Sequence, residues 1–340
     1  MKTHFHTIII GAGPGGLCCA EKLGRQGAEV LLLERRKSIG PKVCAGGVTW
    51  SGLARHLPPH LIEKEFHCQH VRSARQQTVV SAPDPIISTI NREHLGRWMA
   101  EEATRAGVTI LTDAGVTSIT DRQVITDAGH FSYHYLVGAD GSNSLVRRFL
   151  KIPTSRIGTG IQYHIPGDFD DMIWQLDPAL FSTGYAWIFP HRGRASVGAY
   201  AARADISPRL LQENLHAWMQ KHGIERKGIK PEAAAINFDF RGYRFGNIFL
   251  VGDAAGLASG LTGEGIYPAV CSGRTVAAKI LDPAADDSRL RRLIRKHSTH
   301  TRLLDICGKN RFMTTYILEF LVTALRLRLL HFNALEMGDS

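Results

Sequence analysis

The chain has 340 residues, 44% of them hydrophobic and 21% charged, an ordinary globular composition that excludes disordered and collagen-like classes. That length exceeds what one hydrophobic core usually serves, so two closely packed lobes are expected. Lysine and arginine outnumber aspartate and glutamate by 41 to 31, and Arg289, Arg291, Arg292, Arg295, Lys296 and Arg302 concentrate the excess near the C-terminus, a cluster suited to nucleic acid, an acidic redox partner, anionic lipid or plain solvation.

The first strand begins by residue 7 and no run of 18 apolar residues occurs, so neither a cleavable signal nor a spanning helix is expected, and the protein is expected in the cytoplasm. Six cysteines show no CxxC spacing, which argues against structural zinc, and no metal is expected. In a reducing compartment a disulfide framework is not expected either.

In chain order, the apolar run 7–10 predicts a buried parallel strand, and Gly11-Ala12-Gly13-Pro14-Gly15-Gly16 follows it into a helix. Gly11 makes the tight turn, Gly13 lets the backbone approach a pyrophosphate, and Gly16 lets the helix pack on the sheet. A second strand at 29–33 ends in Glu34, an acceptor for ribose hydroxyls that disfavours a 2′-phosphate. NAD or the ADP half of FAD therefore fits better than NADP. Residues 35–49 lose alternation and form a loop at the functional edge of the sheet. A helix is predicted over 91–106, and short strands over 108–112, 115–119, 123–126 and 130–137. Residues 157–239 read as a β-rich lobe with one helix near 208–221. Residues 247–251 form another buried strand, and the chain is helical from about 288.

Two further segments extend the first fingerprint. Tyr135-Leu136-Val137-Gly138-Ala139-Asp140-Gly141 resembles the DG motif of class A flavoprotein monooxygenases and their relatives, and Val251-Gly252-Asp253-Ala254-Ala255 resembles their GD motif. In order and spacing, the three make FAD the expected resident cofactor. Tyr185-Ala186-Trp187-Ile188-Phe189-Pro190 with Val197-Gly198 resembles the YxWxFP signature of geranylgeranyl reductases. Leu261-Thr262-Gly263-Glu264-Gly265-Ile266 and the loop Lys42-Val43-Cys44-Ala45-Gly46-Gly47 are similar to two more of their motifs. The likeness runs from residue 5 to about 280. Tyr200 stands where the family pattern has a glycine, which narrows or reshapes the pocket, and Ala45 stands where many members have glycine. Flavin-dependent halogenases carry a similar WxWxIP motif, from which Tyr185 and Phe189 depart, so halogenation is disfavoured.

The resemblance implies an α/β protein with a Rossmann-like FAD-binding domain, an inserted β-rich substrate domain and a C-terminal helical segment. The expected boundaries are 1–70, 92–153 and 240–283 for the FAD domain, 71–91 and 154–239 for the substrate domain, and 284–340 for the helical region. It places Gly11, Gly13, Gly16, Glu34, Arg35, Cys44, Ala45, Gly47, Arg92, Val116, Asp140, Asp253, Gly265 and Ile266 around FAD. It implies reduction of isolated C=C bonds of an isoprenoid chain or prenyl lipid, by hydride from reduced flavin plus a proton. Tyr185, Trp187 and Phe189 would line the prenyl channel, and their π faces would stabilise developing positive charge. Cys44 is the first candidate acid, because an ordinary thiol is protonated at neutral pH; a plain flavin contact is the other role open to it, and Tyr185 is the alternative donor. With no second GxGxxG, NAD(P)H or a reduced electron carrier, such as a donor protein, would visit transiently. No nucleic-acid partner is expected. An aromatic hydroxylase and an electron-transfer flavoprotein passing electrons to quinone are the competing readings. Residues 312–330, apolar but interrupted by Glu319, Arg326 and Arg328, predict either an interfacial helix docking peripherally on the inner face of a membrane or a helix closing the cavity.

Overall fold

In a computed structural model describing residues 2–308 and 310–338, the opening apolar run becomes the strand His4–Ile10. It pairs in parallel with Val30–Leu33 on one side and Gly129–Gly138 on the other. Thr109–Leu111 and Ile248–Leu250 extend these parallel strands outward to five, and three antiparallel strands, Val116–Ile119, Gln123–Thr126 and Arg244–Phe245, bring the sheet to eight. The parallel strands are covered on both faces, which is why they read as continuous apolar runs. The helix Pro14–Gly24 covers one face. It is pressed onto its neighbours by glycines: a Cβ at Gly16 would lie 2.1 Å from the Gly11 carbonyl oxygen, and one at Gly273 would lie 2.2 Å from that of Gly15. Gly273 belongs to the helix Ile266–Leu281, so two helices and the nucleotide turn meet backbone to backbone.

A second sheet of seven strands runs in the order Glu232–Asn237, Ile157–Pro166, Arg194–Ala202, Tyr185–His191, Ile173–Gln175, Cys68–Arg72 and Gln77–Ser81. One face is covered by the helix Pro208–Lys221, whose Leu211, Leu215, Trp218 and Met219 pack on Ile161, Tyr163 and Val197. The other face carries Trp174, Tyr185, Trp187 and Phe189, packed with Leu318, Val322 and Leu325 of the helix Arg311–Arg326. A small sheet of Gly47–Thr49, Ile87–Ile90 and Ile62–Phe66 brackets the Cys68–Ser81 hairpin in sequence.

Three local departures from the sequence expectations have physical causes. The first strand starts at His4 because Ser132 and Phe5's partner Tyr133 continue the ladder beyond the apolar run. The hairpin Cys68–Arg72 and Gln77–Ser81 carries no clear apolar run; its register comes from parallel pairing with Ile173–Gln175, about a hundred residues later. The basic cluster is partly committed to structure: Lys296 donates to the carbonyls of Asn333 and Gly338, and Arg291 pairs with Asp287.

Candidate functional site

A cavity opens between the nucleotide turn and the aromatic face of the second sheet. At one end it is walled by Gly13, Pro14 and Gly15, then by Arg92, Asp253, Gly265 and Ile266; at the other by Trp174, Tyr185, Trp187, Phe189 and Tyr200. The loop residues Lys42, Cys44, Ala45 and Gly47 form part of the wall between these ends. Of the expected cofactor residues, the structure thus brings Gly13, Cys44, Ala45, Gly47, Arg92, Asp253, Gly265 and Ile266 onto one cavity.

The backbone at the first end suits a dinucleotide. Gly13 caps the helix Pro14–Gly24 without any side-chain hydrogen bond, leaving N–H groups directed at an anion. A Cβ at Gly13 would find its nearest atom, the Ala139 oxygen, at 3.9 Å, whereas one at Gly11 would meet that oxygen at 2.4 Å. Gly11 is thus needed for the turn itself, while Gly13 leaves the approach open. Arg92 is 9% exposed and its Nη1 has no hydrogen-bond partner; burial lowers its pKa, while the Cys44 thiol and Asp253 act in the opposite sense. A bound diphosphate or flavin oxygen would satisfy that orphaned donor. The Asp253 carboxylate takes hydrogen bonds from Lys42 Nζ at 3.2 Å and Ser142 Oγ at 3.2 Å. The helix Ile266–Leu281 starts at Gly265 with no side-chain cap, so its positive end also faces the cavity. These residues fit FAD.

Other expected residues stand apart from this cavity. Glu34 accepts from the Ala12 N–H at 2.8 Å and from the Arg36 N–H at 3.0 Å, which ties the end of the second strand to the glycine turn. Val116 lies in the strand Val116–Ile119 at the sheet margin, and a Cβ at its neighbour Gly115 would be 4.0 Å from Arg35 Cβ, which sets Val116 near the segment that follows Glu34. Asp140 is spent on a helix: its Oδ2 accepts from Leu145 N at 2.6 Å and Val146 N at 3.2 Å. Burial raises its pKa against these hydrogen bonds, and Oδ1 is left without a partner. Gly16 serves packing, as described above. Arg147, 1% exposed, follows Asp140 and donates to the carbonyls of Pro153, Asp239 and Ala254. It staples the segment after Asp140 to the one containing Asp253.

The aromatic end is built by cross-strand fitting. Tyr185, Trp187 and Phe189 alternate along one strand, with ring centroids 5.9 and 6.1 Å apart. Gly198 lies directly opposite Trp187, and a Cβ there would be 2.3 Å from the indole; the glycine is the space the ring occupies. Gly47 does the same for Phe189, at 2.7 Å. Trp187 Nε1 donates to Ser196 Oγ at 3.0 Å. Tyr200 narrows the cavity as its position in the hairpin suggests, its ring 5.9 Å from that of Tyr185 and its hydroxyl donating to the Gly260 carbonyl at 2.8 Å. Trp174 and Phe332, 5.5 Å apart, complete the ring of aromatics. Sequence reasoning missed these two because neither lies in a motif; Trp174 arrives through a short strand and Phe332 through the C-terminal tail.

Tyr185, Cys44 and Glu264 are ionisable groups of the cavity wall with distinct hydrogen bonds. Tyr185 donates its hydroxyl hydrogen to the Thr262 carbonyl, and burial pushes its ionisation well above the usual phenol range. Cys44 accepts a long hydrogen bond from Gly46 N at 3.4 Å. Glu264 is the third. Its Oε1 accepts from Thr49 Oγ1 at 3.2 Å and its Oε2 from the Met337 N–H at 2.8 Å. Burial pushes its pKa up to about 7, against those hydrogen bonds and with help from Glu336. Glu336, also lining the cavity, is raised in turn by burial and takes a hydrogen bond from Ser51.

Fold and site together define an FAD-dependent oxidoreductase. A family model for the FAD binding domain matches residues 4–166. The digeranylgeranylglycerophospholipid reductase of Methanocella arvoryzae is 30% identical over 311 residues, 83% of this chain and 78% of that protein. The geranylgeranyl diphosphate reductase of Rhodobacter capsulatus is 28% identical over 297 residues, 80% and 74% of the two chains. Among solved structures, a geranylgeranyl bacteriochlorophyll reductase-like protein from Thermoplasma acidophilum superposes with a TM-score of 0.82 at 21% identity, covering 95% of this chain and 92% of its own. A flavin-dependent brominase shares the fold more distantly, with a TM-score of 0.65 at 16% identity, covering 95% of this chain and 94% of its own. The chain belongs to the geranylgeranyl reductase family of FAD-dependent flavoproteins.

The environment of Glu264 makes stability depend on pH. Its value in the folded chain, about 7, exceeds the 4.5 of a free glutamate, so the folded state holds more protons between these values. Stability therefore falls as pH rises from about 4.5 to about 7 and levels off above. Glu264→Gln should remove this fall, roughly 1–3 kcal/mol after allowance for water in the cavity, leaving the share owed to Glu336. Denaturant unfolding of the FAD-loaded protein across that range checks it, and an unchanged slope contradicts it.

Proposed function

We propose that the protein reduces isolated C=C bonds of an isoprenoid chain carried by a prenyl diphosphate or prenyl lipid. The observation that carries this reading is one continuous cavity that joins a dinucleotide-binding turn to a wall of six aromatic rings, with the curated relatives bearing the names of prenyl-chain reductases. An alkene without a neighbouring carbonyl offers nothing to stabilise negative charge, so reduction runs through positive charge on carbon and needs both a hydride and an acid. Reduced FAD, when bound, supplies the hydride. The protein supplies the rest. Gly13, Arg92 and Asp253 hold the cofactor; Tyr185, Trp187 and Phe189 orient the chain, exclude water and face a developing cation with their π clouds. Gly158-Thr159-Gly160 lies inside the strand Ile157–Pro166, not in a second nucleotide turn, so NAD(P)H or a reduced carrier reaches the cofactor as a visitor.

The same chemistry favours work at a lipid surface. None of the described helices is long and apolar enough to cross a membrane. The helix Arg311–Arg326 instead divides its apolar residues: Leu318 and Val322 are buried against the aromatic cluster, while Phe312, Tyr316 and Phe320 are 79%, 69% and 72% exposed. Leu327 and Leu329 continue the exposed patch, beside the exposed Arg326 and Arg328. Glu319, which interrupts the apolar run, is turned inward to Ser73 and Gln76. Apolar side chains rimmed by arginine suit the headgroup region of an anionic bilayer, and the same helix packs with the aromatic residues of the cavity wall.

Two experiments test this reading. Anaerobic incubation of the dithionite-reduced holoprotein with geranylgeranyl diphosphate should yield products heavier by about two mass units per saturated bond, the mass of the hydride and proton added; an unaltered substrate overturns the reading. In flotation, the protein should rise with vesicles containing an anionic phospholipid, less so at high salt, and the double variant Phe312→Ser/Phe320→Ser should stay behind. A wild-type protein that ignores such vesicles refutes the docking.

A further inference from the structure

Three cavity-lining groups that could carry a proton to an alkene, Tyr185, Cys44 and Glu264, can be weighed from their hydrogen bonds. Tyr185 has its hydrogen on the Thr262 carbonyl, so releasing it to substrate would leave that bond unmade inside an apolar wall. Cys44 sits in the loop at the side of the cavity, its sulfur facing the Gly46 N–H. Glu264 differs from both. It follows Gly263, which adopts a left-handed backbone with φ +67°, and a Cβ at Gly263 would lie 3.3 Å from the Tyr185 hydroxyl. The turn therefore delivers the carboxyl beside the aromatic wall, in a segment that runs directly into Gly265 and Ile266 on the cofactor side.

The two oxygens of Glu264 have different partners. Met337 N–H can only donate, so Oε2 must accept from it; Thr49 Oγ1 can donate or accept. The hydrogen of a neutral carboxyl is thus carried on Oε1, whose oxygen can keep accepting from Thr49 Oγ1 while its O–H points elsewhere. Neither partner is a cation, and a charged carboxylate gains only two neutral hydrogen bonds there. The ionisable groups packed around it are Glu336 from the C-terminal tail, Tyr185 from the sheet and Lys296 from the helix Ser288–Cys307. Glu336 opposes ionisation, and Lys296 is engaged with the carbonyls of Asn333 and Gly338.

We infer that Glu264 is the catalytic acid that protonates the prenyl double bond. The inference rests on the proposed prenyl reduction and assigns its proton. The Oε1–H bond breaks and the π pair of the alkene forms a C–H bond at its less substituted carbon. The tertiary carbon becomes electron-deficient, open to the hydride that bound reduced FAD would supply, while Glu264 is left as a carboxylate. Thr49 and Met337 then donate to both oxygens of the anion, and the anion itself stands beside the cationic carbon, so the charge separation is stabilised from each side. A proton from solvent restores the acid after product leaves. The near-neutral value of the carboxyl suits this work, since an acid is most effective when it ionises near the working pH.

The test uses FAD-loaded protein. Glu264→Gln keeps shape and hydrogen-bonding capacity but has no acidic proton; it should bind FAD and become reduced by dithionite as the wild type does, yet reduce geranylgeranyl diphosphate at least about a hundredfold more slowly. Glu264→Asp should recover part of the rate; Cys44→Ser and Tyr185→Phe alter the cavity wall and should slow the reaction, but by less than about tenfold, and should keep the wild-type fall in rate above neutral pH. The wild-type rate should fall above about pH 7 in proportion to one ionisation. A readout independent of turnover is the infrared carbonyl stretch of a protonated carboxyl, present in the wild type at about pH 6, reduced at about pH 9, and diminished in Glu264→Gln. If wild type turns over and Glu264→Gln keeps its rate, or Cys44→Ser shows the hundredfold loss instead, the assignment to Glu264 is overturned. If the wild type itself leaves the prenyl chain unaltered, the infrared band still decides whether Glu264 is a neutral acid, and only the substrate reading falls.

Discussion

The closest backbone contact in the nucleotide domain sets the geometry of everything around the cavity. Gly15 and Gly16 allow the helix Pro14–Gly24 to touch both the turn at Gly11 and the helix Ile266–Leu281, and Gly273 gives way from the other side. A methyl group at any of the tightest positions would push these elements apart, even though alanine is otherwise the better helix former. Because Ile266–Leu281 begins at Gly265, the same contact that shapes the phosphate end also places Glu264 and the positive end of a helix at the reactive end. Arg147 fixes the remaining member, holding the segment of Asp239 and Ala254 against the segment that follows Asp140.

The second sheet meets this frame with a surface of rings. Its glycines act as sockets: Gly198 for Trp187 and Gly47 for Phe189. This explains why the aromatic signature and the glycines after it occur together, since each ring needs a position without a side chain across the ladder. The wall that results is apolar and electron-rich, and it contains one carboxyl held by a hydroxyl and an amide. Burial disfavours the charged form of such a group, so a positive charge forming nearby would favour loss of its proton.

What could be read in the sequence follows how local each signal is. The first strand, turn and helix, the acid at Glu34, the helix at 208–221 and the strand at 248–250 were legible because apolar period and glycine spacing are local properties. The hairpin at 68–81 was not, since its place is set by a partner strand near residue 173. The same division holds in the site. The glycine turn, Asp253 and the alternating aromatics were visible as motifs. Asp140 was visible too, but only the structure reveals that its carboxylate caps a short helix. Trp174, Phe332 and Glu336 reach the cavity through long-range folding and left no motif. Glu264 stood in plain sight within a recognised segment; its acidity depends on Thr49, Met337 and Glu336, three residues far from it in sequence, and so could not be inferred from spacing.

A prenyl chain lying along the aromatic wall would place a double bond between the bound cofactor and Glu264. A crystal structure of the FAD-loaded protein with geranylgeranyl diphosphate tests this placement most directly. Chain density should run past Phe189, Trp187 and Tyr185, with one trisubstituted carbon pair in contact with Glu264 Oε1 on one side and the flavin on the other. Density for the chain outside this cavity, or inside it with Glu264 turned away and no double bond within reach of its carboxyl, would contradict it.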